Sequence, residues 1–368
     1  MKGKRQANFE LLRIVAMLMI ISLHYLDKGG ILIELLAVRK ETPVSVFAWL
    51  IEAFCNVSVN CYVLISGYFC VESVWKPGRA LTLLGQVLFY SLGIPCLFLL
   101  FGIEPVKSLG QPEKGLGFYD WLSFALPVGM EHYWFATAFL ILYLFAPFLS
   151  AGIRQMKKRQ LQIVTALLLC VFSLGKSVFP VALAIDRAGY SFGWFLCLFV
   201  VGGYIGKYGI SWLEKQSHAV TVYFLSGFCV WLSAMFCYII NRNVFGGEVE
   251  ALGDYAHKLY NYNHLLCLVG AVALFYVFKN MHISEGRFAD MVRKLAPYTF
   301  GVYLLHEHQL IRYEWMQWLG VREVEESFLF VPHMTGCVLL VYAAGTMVDA
   351  VRAWLFGRVR KALVLQKK

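Results

Sequence analysis

The sequence predicts an all-α protein, a polytopic bundle of transmembrane helices with about ten spans. Hydrophobic residues make up 59% of the 368 residues and charged residues only 15%, whereas soluble domains carry about 25% charged residues. The net charge of +10 would suit a nucleic-acid-binding protein, but Lys and Arg lie in short segments between apolar stretches, as in membrane proteins. We therefore expect one membrane-embedded domain over residues 1–368, in contact with membrane lipid and not with nucleic acid.

Ten stretches of the chain are apolar and long enough to be spans. They are 9–26, 45–70, 80–103, 132–150, 161–179, 191–206, 219–240, 262–279, 296–313 and 327–349. The second stretch is long and polar in its middle, at Asn56, Ser58 and Asn60, so we expect a bend there. The sixth is short and ends in glycines, among them Gly202 and Gly206, which would let helices approach closely.

The distribution of Lys and Arg predicts how the chain is oriented. With the N-terminus inside, 21 of the 33 Lys and Arg residues fall in inward segments and 11 on the outward side, while Arg13 lies within the first span. Because inward loops are enriched in Lys and Arg, both termini are expected to be cytoplasmic. The basic N-terminus resembles a signal peptide, but no small-residue cleavage site follows, so we interpret it as a retained first span.

Three ionisable residues lie on one face of the predicted first span. Arg13 and His24 have ten residues between them, and a helix that turns about 100° per residue brings both to nearly the same face, about 16 Å apart along the axis. Glu10 lies one turn before Arg13. Ionisable groups inside a membrane are costly and therefore indicate function.

The residue types of this stripe suggest chemistry but leave its nature open. A histidine exchanges protons near neutral pH, and an arginine binds a phosphate or a carbonyl oxygen that gains charge. Glu10 would neutralise and orient Arg13. The same stripe could instead be a charge cluster that fixes helix packing, or the proton or substrate path of a transporter or exporter.

Three further segments carry recognisable patterns in order along the chain. They are 63–69, which contains Ser66 and Gly67; 132–147, which contains Trp134; and 298–306, which contains His306. Together with Arg13 and His24 they resemble acyltransferase family 3, a family of integral-membrane acyltransferases. Its hallmark is an Arg and a His with ten residues between them in the first span. Its later spans carry a Ser-Gly-aromatic end, a Trp with a terminal Tyr and Pro, and a glycine–tyrosine–histidine pattern.

The resemblance implies transfer of an acyl group, commonly acetyl from acetyl-CoA, to a cell-surface carbohydrate or its lipid-linked precursor. It implies acyl-CoA as a donor substrate, no bound cofactor, and His24 and Arg13 as catalytic residues, with His24 acting as general base or carrying the acyl group transiently. Many members have Asp where this chain has Glu10, and the charge is the same. The chain resembles the stand-alone members, which lack a soluble hydrolase-like domain. The expected location is the bacterial cytoplasmic membrane.

Several residues are weaker candidates with a competing structural interpretation. Lys76 and Arg79 could bind the phosphates of the acyl donor or anchor the chain at the inner surface. The basic segment 154–159 is interpreted as an anchor for the same reason. Ser66 and Gly67 support the cavity or only allow a close helix contact.

Trp134 and His306 complete the supporting candidates. Trp134 lines a cavity or belongs to the aromatic belt at a membrane surface, and His306 lines the cavity or is a packing histidine. His306 and His308 would point about 200° apart on a helix, so no metal site is predicted. The ten cysteines show no C-x-x-C or zinc-like spacing and are interpreted as small buried hydrophobes.

Overall fold

The computed structural model describes residues 5–32, 42–71, 76–103, 116–179 and 187–365, and every regular element in these ranges is helical. The helices are α1 (Ala7–Lys28), α2 (Pro43–Cys55), α3 (Ser58–Cys70), α4 (Pro77–Leu100), α5 (Phe118–Ala125), α6 (Trp134–Gln155), α7 (Lys158–Leu169), α8 (Gly175–Val178), α9 (Phe192–Tyr208), α10 (Gln216–Phe245), α11 (Glu250–Lys258), α12 (Leu265–Lys279), α13 (Arg287–Leu295), α14 (Thr299–His306), α15 (Glu314–Trp318) and α16 (Phe330–Leu365). The terminal residues 1–4 and 366–368, which contribute to the predicted orientation, lie outside the described residues.

Seven of the described helical segments are long and apolar enough to cross a membrane. They are α1, α2 with α3, α4, α6, α7 with α8, α10 and α16. Two shorter apolar helices, α9 and α12, have 17 and 15 residues, which correspond to about 25 and 22 Å of length. These nine segments overlap nine of the ten predicted spans, so the chain is an all-helical, multi-pass membrane protein.

The ninth predicted span, 296–313, is wrong as a continuous helix. α14 ends at His306, and turns replace the helix beyond it. On a continuous helix the side chains of Glu307 and His308 would point about 100° and 200° away from that of His306. The turn instead lets Glu307 pair with Lys28 of α1, while His308 reaches a backbone carbonyl of α4. Burying these polar groups requires such partners.

The bend expected in the second span is confirmed. Two residues separate α2 from α3, and the side chains of Asn56 and Asn60 at the break are hydrogen bonded to the loop before α12. The amide of Asn56 donates to the carbonyl of Tyr260, and that of Asn60 donates to the carbonyl of Tyr262 at 2.7 Å. The indole N–H of Trp194 donates to Asn60 at 3.0 Å. Specific hydrogen bonds therefore stabilise the break, because the side-chain amides of Asn56 and Asn60 each have a partner.

α1 and the α2–α3 pair form the interior of the bundle. In their most apolar stretches 61% and 72% of residues are buried, against 22–33% for the other five long segments. α9 packs on α3 so closely that a side chain at Gly67 would collide with the carbonyl of Phe199, and one at Gly202 with the carbonyl of Leu64. The close approach expected from the α9 glycines is confirmed, and Gly67 serves the same contact.

A buried polar network fixes the position of α14. Asp349 of α16 is fully buried and accepts hydrogen bonds from Gln86 at 3.0 Å and Tyr90 at 2.9 Å, both in α4. Arg352 donates to it twice, at 2.7 and 2.8 Å. Gly301 of α14 lies against the Asp349 carboxylate with no room for a side chain. α4, α14 and α16 are thereby joined, and the last residue of α14 is held in the site described next.

Candidate active site

A cavity of about 610 Å³ runs along α1, and Glu10, Arg13 and His24 all line it. The common face predicted from their spacing is therefore the face that α1 turns toward this cavity. Ser66 of α3 and Trp134 at the start of α6 also line it, as the sequence predicts. Because Arg13 and His24 lie about 16 Å apart along the helix axis, we call the two parts of the bundle the Arg13 end and the His24 end.

His24 is hydrogen bonded to His306, and the bond defines which nitrogen carries a proton. The two rings meet at Nδ1 of His24 and Nε2 of His306, 3.0 Å apart. Nδ1 of His306 lies 2.7 Å from the carbonyl oxygen of Val302. A carbonyl only accepts, so Nδ1 of His306 is the protonated nitrogen and Nε2 is an acceptor. His24 must then donate from Nδ1, which leaves Nε2 of a neutral His24 with a free lone pair.

Glu307 completes this cluster and was missed by the sequence analysis. One carboxylate oxygen lies 3.3 Å from Nδ1 of His24, and the same oxygen pairs with the ammonium group of Lys28. The carboxylate is 7% exposed and His24 is 17% exposed, so the pair lies in a low dielectric where its interaction is strong. The signal in the sequence is a glutamate beside His306 within an apolar stretch.

Arg13 is oriented by its neighbours and remains partly open to the cavity. Its guanidinium pairs with Glu10, whose carboxylate is 4% exposed while the Arg13 side chain is 28% exposed. Arg5 lies 3.6 Å from the other oxygen of Glu10. The hydroxyl of Tyr62 donates to the carbonyl of Arg13 at 2.6 Å. A guanidinium has five N–H donors, so Arg13 can bind Glu10 and an anion in the cavity together.

A second cavity of about 640 Å³ adjoins the first at the Arg13 end. Arg13, Ser66 and Arg79 line both cavities, so the two spaces share a wall. Arg154 of α6 lines the second cavity, although the sequence analysis assigned it only an anchoring role. Lys76 lines neither cavity and its side chain is exposed. Of the two predicted donor-binding residues, the structure brings only Arg79 to the site.

The His24 cluster has the residue types and spacing of a small metal site. His24, His306 and Glu307 each offer one ligand atom, and these atoms lie within 4.8 Å of one another. Lys28 already neutralises Glu307, so a divalent cation would meet a like charge at close range. His308 belongs to a separate group with His132 and Phe124. The absence of a metal stays a prediction.

Chelation is expected to leave the activity of the protein unchanged. Lys28 pairs with the Glu307 oxygen that would bind a metal, and an ammonium group there opposes cation binding. The measurement is the acyl transfer that the family resemblance implies, for the full-length protein in nanodiscs before and after prolonged treatment with EDTA. An activity lost on chelation and restored by Zn²⁺ would contradict this expectation.

The fold and the site define a multi-pass membrane protein with a histidine–arginine cavity inside its helical bundle. A family model described as an acyltransferase domain, that of acyltransferase family 3, matches residues 6–348. Because the match covers nearly the whole chain, the chain belongs to this family. Comparison with curated proteins and with solved structures gives no significant match. Family membership supports an acyltransferase.

Proposed function

We propose that this chain is an O-acyltransferase that moves an acyl group from acyl-CoA to a carbohydrate hydroxyl group. The acyl group proposed is acetyl, and the acceptor is a cell-surface carbohydrate or its lipid-linked precursor. The family match supports acyl transfer. One observation carries the catalytic assignment: the bonds from Val302 through His306 to His24 leave Nε2 of His24 as the available base. The cavity that His24 lines also contains Arg13.

In this proposal the donor enters from the Arg13 end. CoA carries its phosphates and its thioester at opposite ends of a long pantetheine arm. Arg13 and Arg79 line the shared wall of the two cavities, where guanidinium groups suit phosphates. The distance of about 16 Å from Arg13 to His24 along α1 suits a donor whose thioester lies well away from its phosphates.

The reaction at His24 can be written with every proton placed. Nε2 of His24 takes the proton of the acceptor hydroxyl as the hydroxyl oxygen attacks the thioester carbonyl carbon. The carbon–sulfur bond breaks, and the departing thiolate takes the proton back from His24. Glu307, 3.3 Å from Nδ1, stabilises the positive charge that His24 carries between these two transfers. In the alternative route Nε2 attacks the carbonyl carbon itself, the carbon–sulfur bond breaks and CoA leaves as a thiolate. The acceptor hydroxyl then takes the acyl group from Nε2, and its proton goes to the thiolate.

The proposal includes the orientation of the chain in a bacterial cytoplasmic membrane. Ten crossings, with the segment 296–313 as the ninth although its helix ends at His306, would put both termini in the cytoplasm. The Arg13 end then faces the cytoplasm, where acyl-CoA is made. The His24 end lies toward the outer half of the membrane, where a surface glycan is accessible. The excess of Lys and Arg in the inward segments supports this orientation.

A transporter or exporter is the second candidate function. α14 ends within an apolar stretch and the second span is broken, and broken helices often carry the sites of transporters. The two functions are separated by supplying acetyl-CoA and a membrane glycan fraction to the purified protein in nanodiscs and measuring free thiol. An acyltransferase releases CoA thiol and labels an acceptor, whereas a transporter releases none.

Replacing Arg79 by alanine is expected to raise the apparent KM for acetyl-CoA about tenfold, since a charge-assisted hydrogen bond contributes roughly 1.5–3 kcal/mol. The value of kcat should change little, because the contact is made equally with bound donor and transition state. The measurement is thiol release at varied acetyl-CoA. Lys158→Ala, which removes a basic residue outside both cavities, is the control. Equal KM values for the wild type and Arg79→Ala would assign Arg79 to anchoring alone.

A further inference from the structure

Three aromatic side chains form a continuous wall at the His24 end. Trp134 and Tyr262 line the cavity of about 610 Å³ that contains His24, which we call the His24 cavity. Their rings lie nearly parallel with centroids 5.8 Å apart. Tyr190 lies 4.4 Å from the ring of Trp134 and 4.9 Å from that of Tyr262. Tyr190 is 40% exposed, so it continues the wall from the cavity to the surface of the molecule. We call Trp134, Tyr190 and Tyr262 the aromatic wall.

The loops next to Trp134, Tyr190 and Tyr262 contain two strained residues and are joined to one another by hydrogen bonds. Ala188 and Glu131 have left-handed φ angles of 56° and 49°, which cost energy in residues other than glycine. The N–H of Tyr262 donates to the carbonyl of Ala188 at 3.2 Å. Arg187 donates two bonds of 2.8 Å to Glu131, and these bonds hold the pKa of Glu131 below its ordinary value. Such strain persists where a surface is positioned for binding.

A carboxylate without a partner lies beside the aromatic wall. Oε2 of Glu52 is buried and has no hydrogen-bond partner among the described residues. Glu52 lies one helical turn before Asn56 on α2. The side-chain amide of Asn56 donates to the carbonyl of Tyr260, two residues before Tyr262, so α2 packs against the loop that carries Tyr262. A buried carboxylate oxygen without a donor is costly. A ligand that supplies hydroxyl donors next to the wall would satisfy it.

We propose that the aromatic wall and Glu52 form the binding site for the acceptor, in which a pyranose ring stacks on Tyr190 and a ring hydroxyl donates to Glu52. A pyranose has apolar C–H faces and a rim of hydroxyl groups, which match an aromatic face and a carboxylate acceptor. The wall is continuous with the His24 cavity, so a stacked sugar would present another hydroxyl toward His24. This inference rests on the proposed acyl transfer to a carbohydrate and names the residues that select its acceptor.

The test measures donor turnover and acceptor labelling in the same sample. Full-length protein in nanodiscs receives acetyl-CoA with a radiolabelled acetyl group, together with the glycan fraction extracted from membranes of cells that lack this chain. Free thiol reports donor turnover, and label in the glycan fraction reports transfer. The variants are Tyr190→Ala, Tyr190→Phe and Glu52→Gln. Trp318→Ala, at an aromatic residue that is 62% exposed and outside the wall, is the control for loss of a membrane-surface aromatic.

The proposal expects Tyr190→Ala to raise the apparent KM for the glycan fraction about tenfold while the KM for acetyl-CoA stays close to wild type. Tyr190→Phe should be close to wild type because it keeps the ring face, and Glu52→Gln should raise the KM for the glycan fraction. If all variants keep the wild-type KM for the glycan fraction, or if Trp318→Ala raises it equally, the acceptor site is wrong while the acyltransferase stands. A wild-type protein that releases no thiol, or releases thiol and labels no glycan, overturns the proposed function itself.

Discussion

His24→Ala, produced at normal levels in the membrane, is expected to reduce acyl transfer by about 10²- to 10⁴-fold, the usual contribution of a positioned general base. The loss should fall on kcat, because the base acts in the transition state while Arg13 and Arg79 still bind the donor. The measurement is the rate of thiol release from acetyl-CoA in the presence of acceptor. If His24→Ala transfers acyl groups at nearly the wild-type rate, both routes proposed at His24 are wrong.

Two further variants make the His24 experiment specific. His282→Ala removes an exposed histidine between α12 and α13, and it should retain full activity if the loss belongs to the His24 position. His24→Gln keeps a polar side chain that can still donate toward His306, but it provides no base at the position of Nε2. If His24→Ala loses activity only because the hydrogen bond to His306 is gone, His24→Gln should regain activity. If the loss comes from the missing base, His24→Gln should stay inactive.

Glu307→Gln is expected to lower kcat by about a hundredfold, since a neutral amide cannot stabilise the positive charge that His24 gains. The Glu307 oxygen lies 3.3 Å from Nδ1 of His24, and the amide would also leave the Lys28 ammonium without its counter-charge. Donor binding at Arg13 lies at the other end of the cavity, so KM for acetyl-CoA should change little. A matched control is Glu214→Gln, which removes an ion-paired carboxylate outside the cavity.

The double variant Lys28→Gln with Glu307→Gln separates the two consequences of losing Glu307. A buried charge left without a partner is destabilising by roughly 3–5 kcal/mol, and removing Lys28 as well relieves that cost. If the double variant recovers activity, the loss in Glu307→Gln came from the unpaired Lys28. If activity stays low while the protein regains its thermal stability, Glu307 acts on His24 directly, which is the expected outcome.

Hydropathy and helical spacing were sufficient for the features that depend on local geometry. The common face of Glu10, Arg13 and His24 follows from about 100° of rotation per residue and needs no knowledge of neighbouring helices. The bend near Asn56 follows from polar residues within an apolar stretch. Both features appear in the structure.

The same reasoning failed where partners distant in the chain decide the conformation. The end of α14 at His306 was missed because hydropathy averages over residues 296–313, while Glu307 and His308 turn toward partners in α1 and α4. Arg154 was assigned to anchoring because the sequence does not show that α6 brings it to a cavity shared with Arg79.

The sequence by itself determined an all-helical membrane protein, its family resemblance and the residues of the α1 stripe, because apolar length and helical period are properties of consecutive residues. Only the tertiary structure decided what surrounds His24. Its partner His306 lies 282 positions away, and the hydrogen bond of His306 to its own helix selects the protonated nitrogen. Which nitrogen of a histidine can act as a base depends on the group that binds the other one, and folding alone brings those groups together.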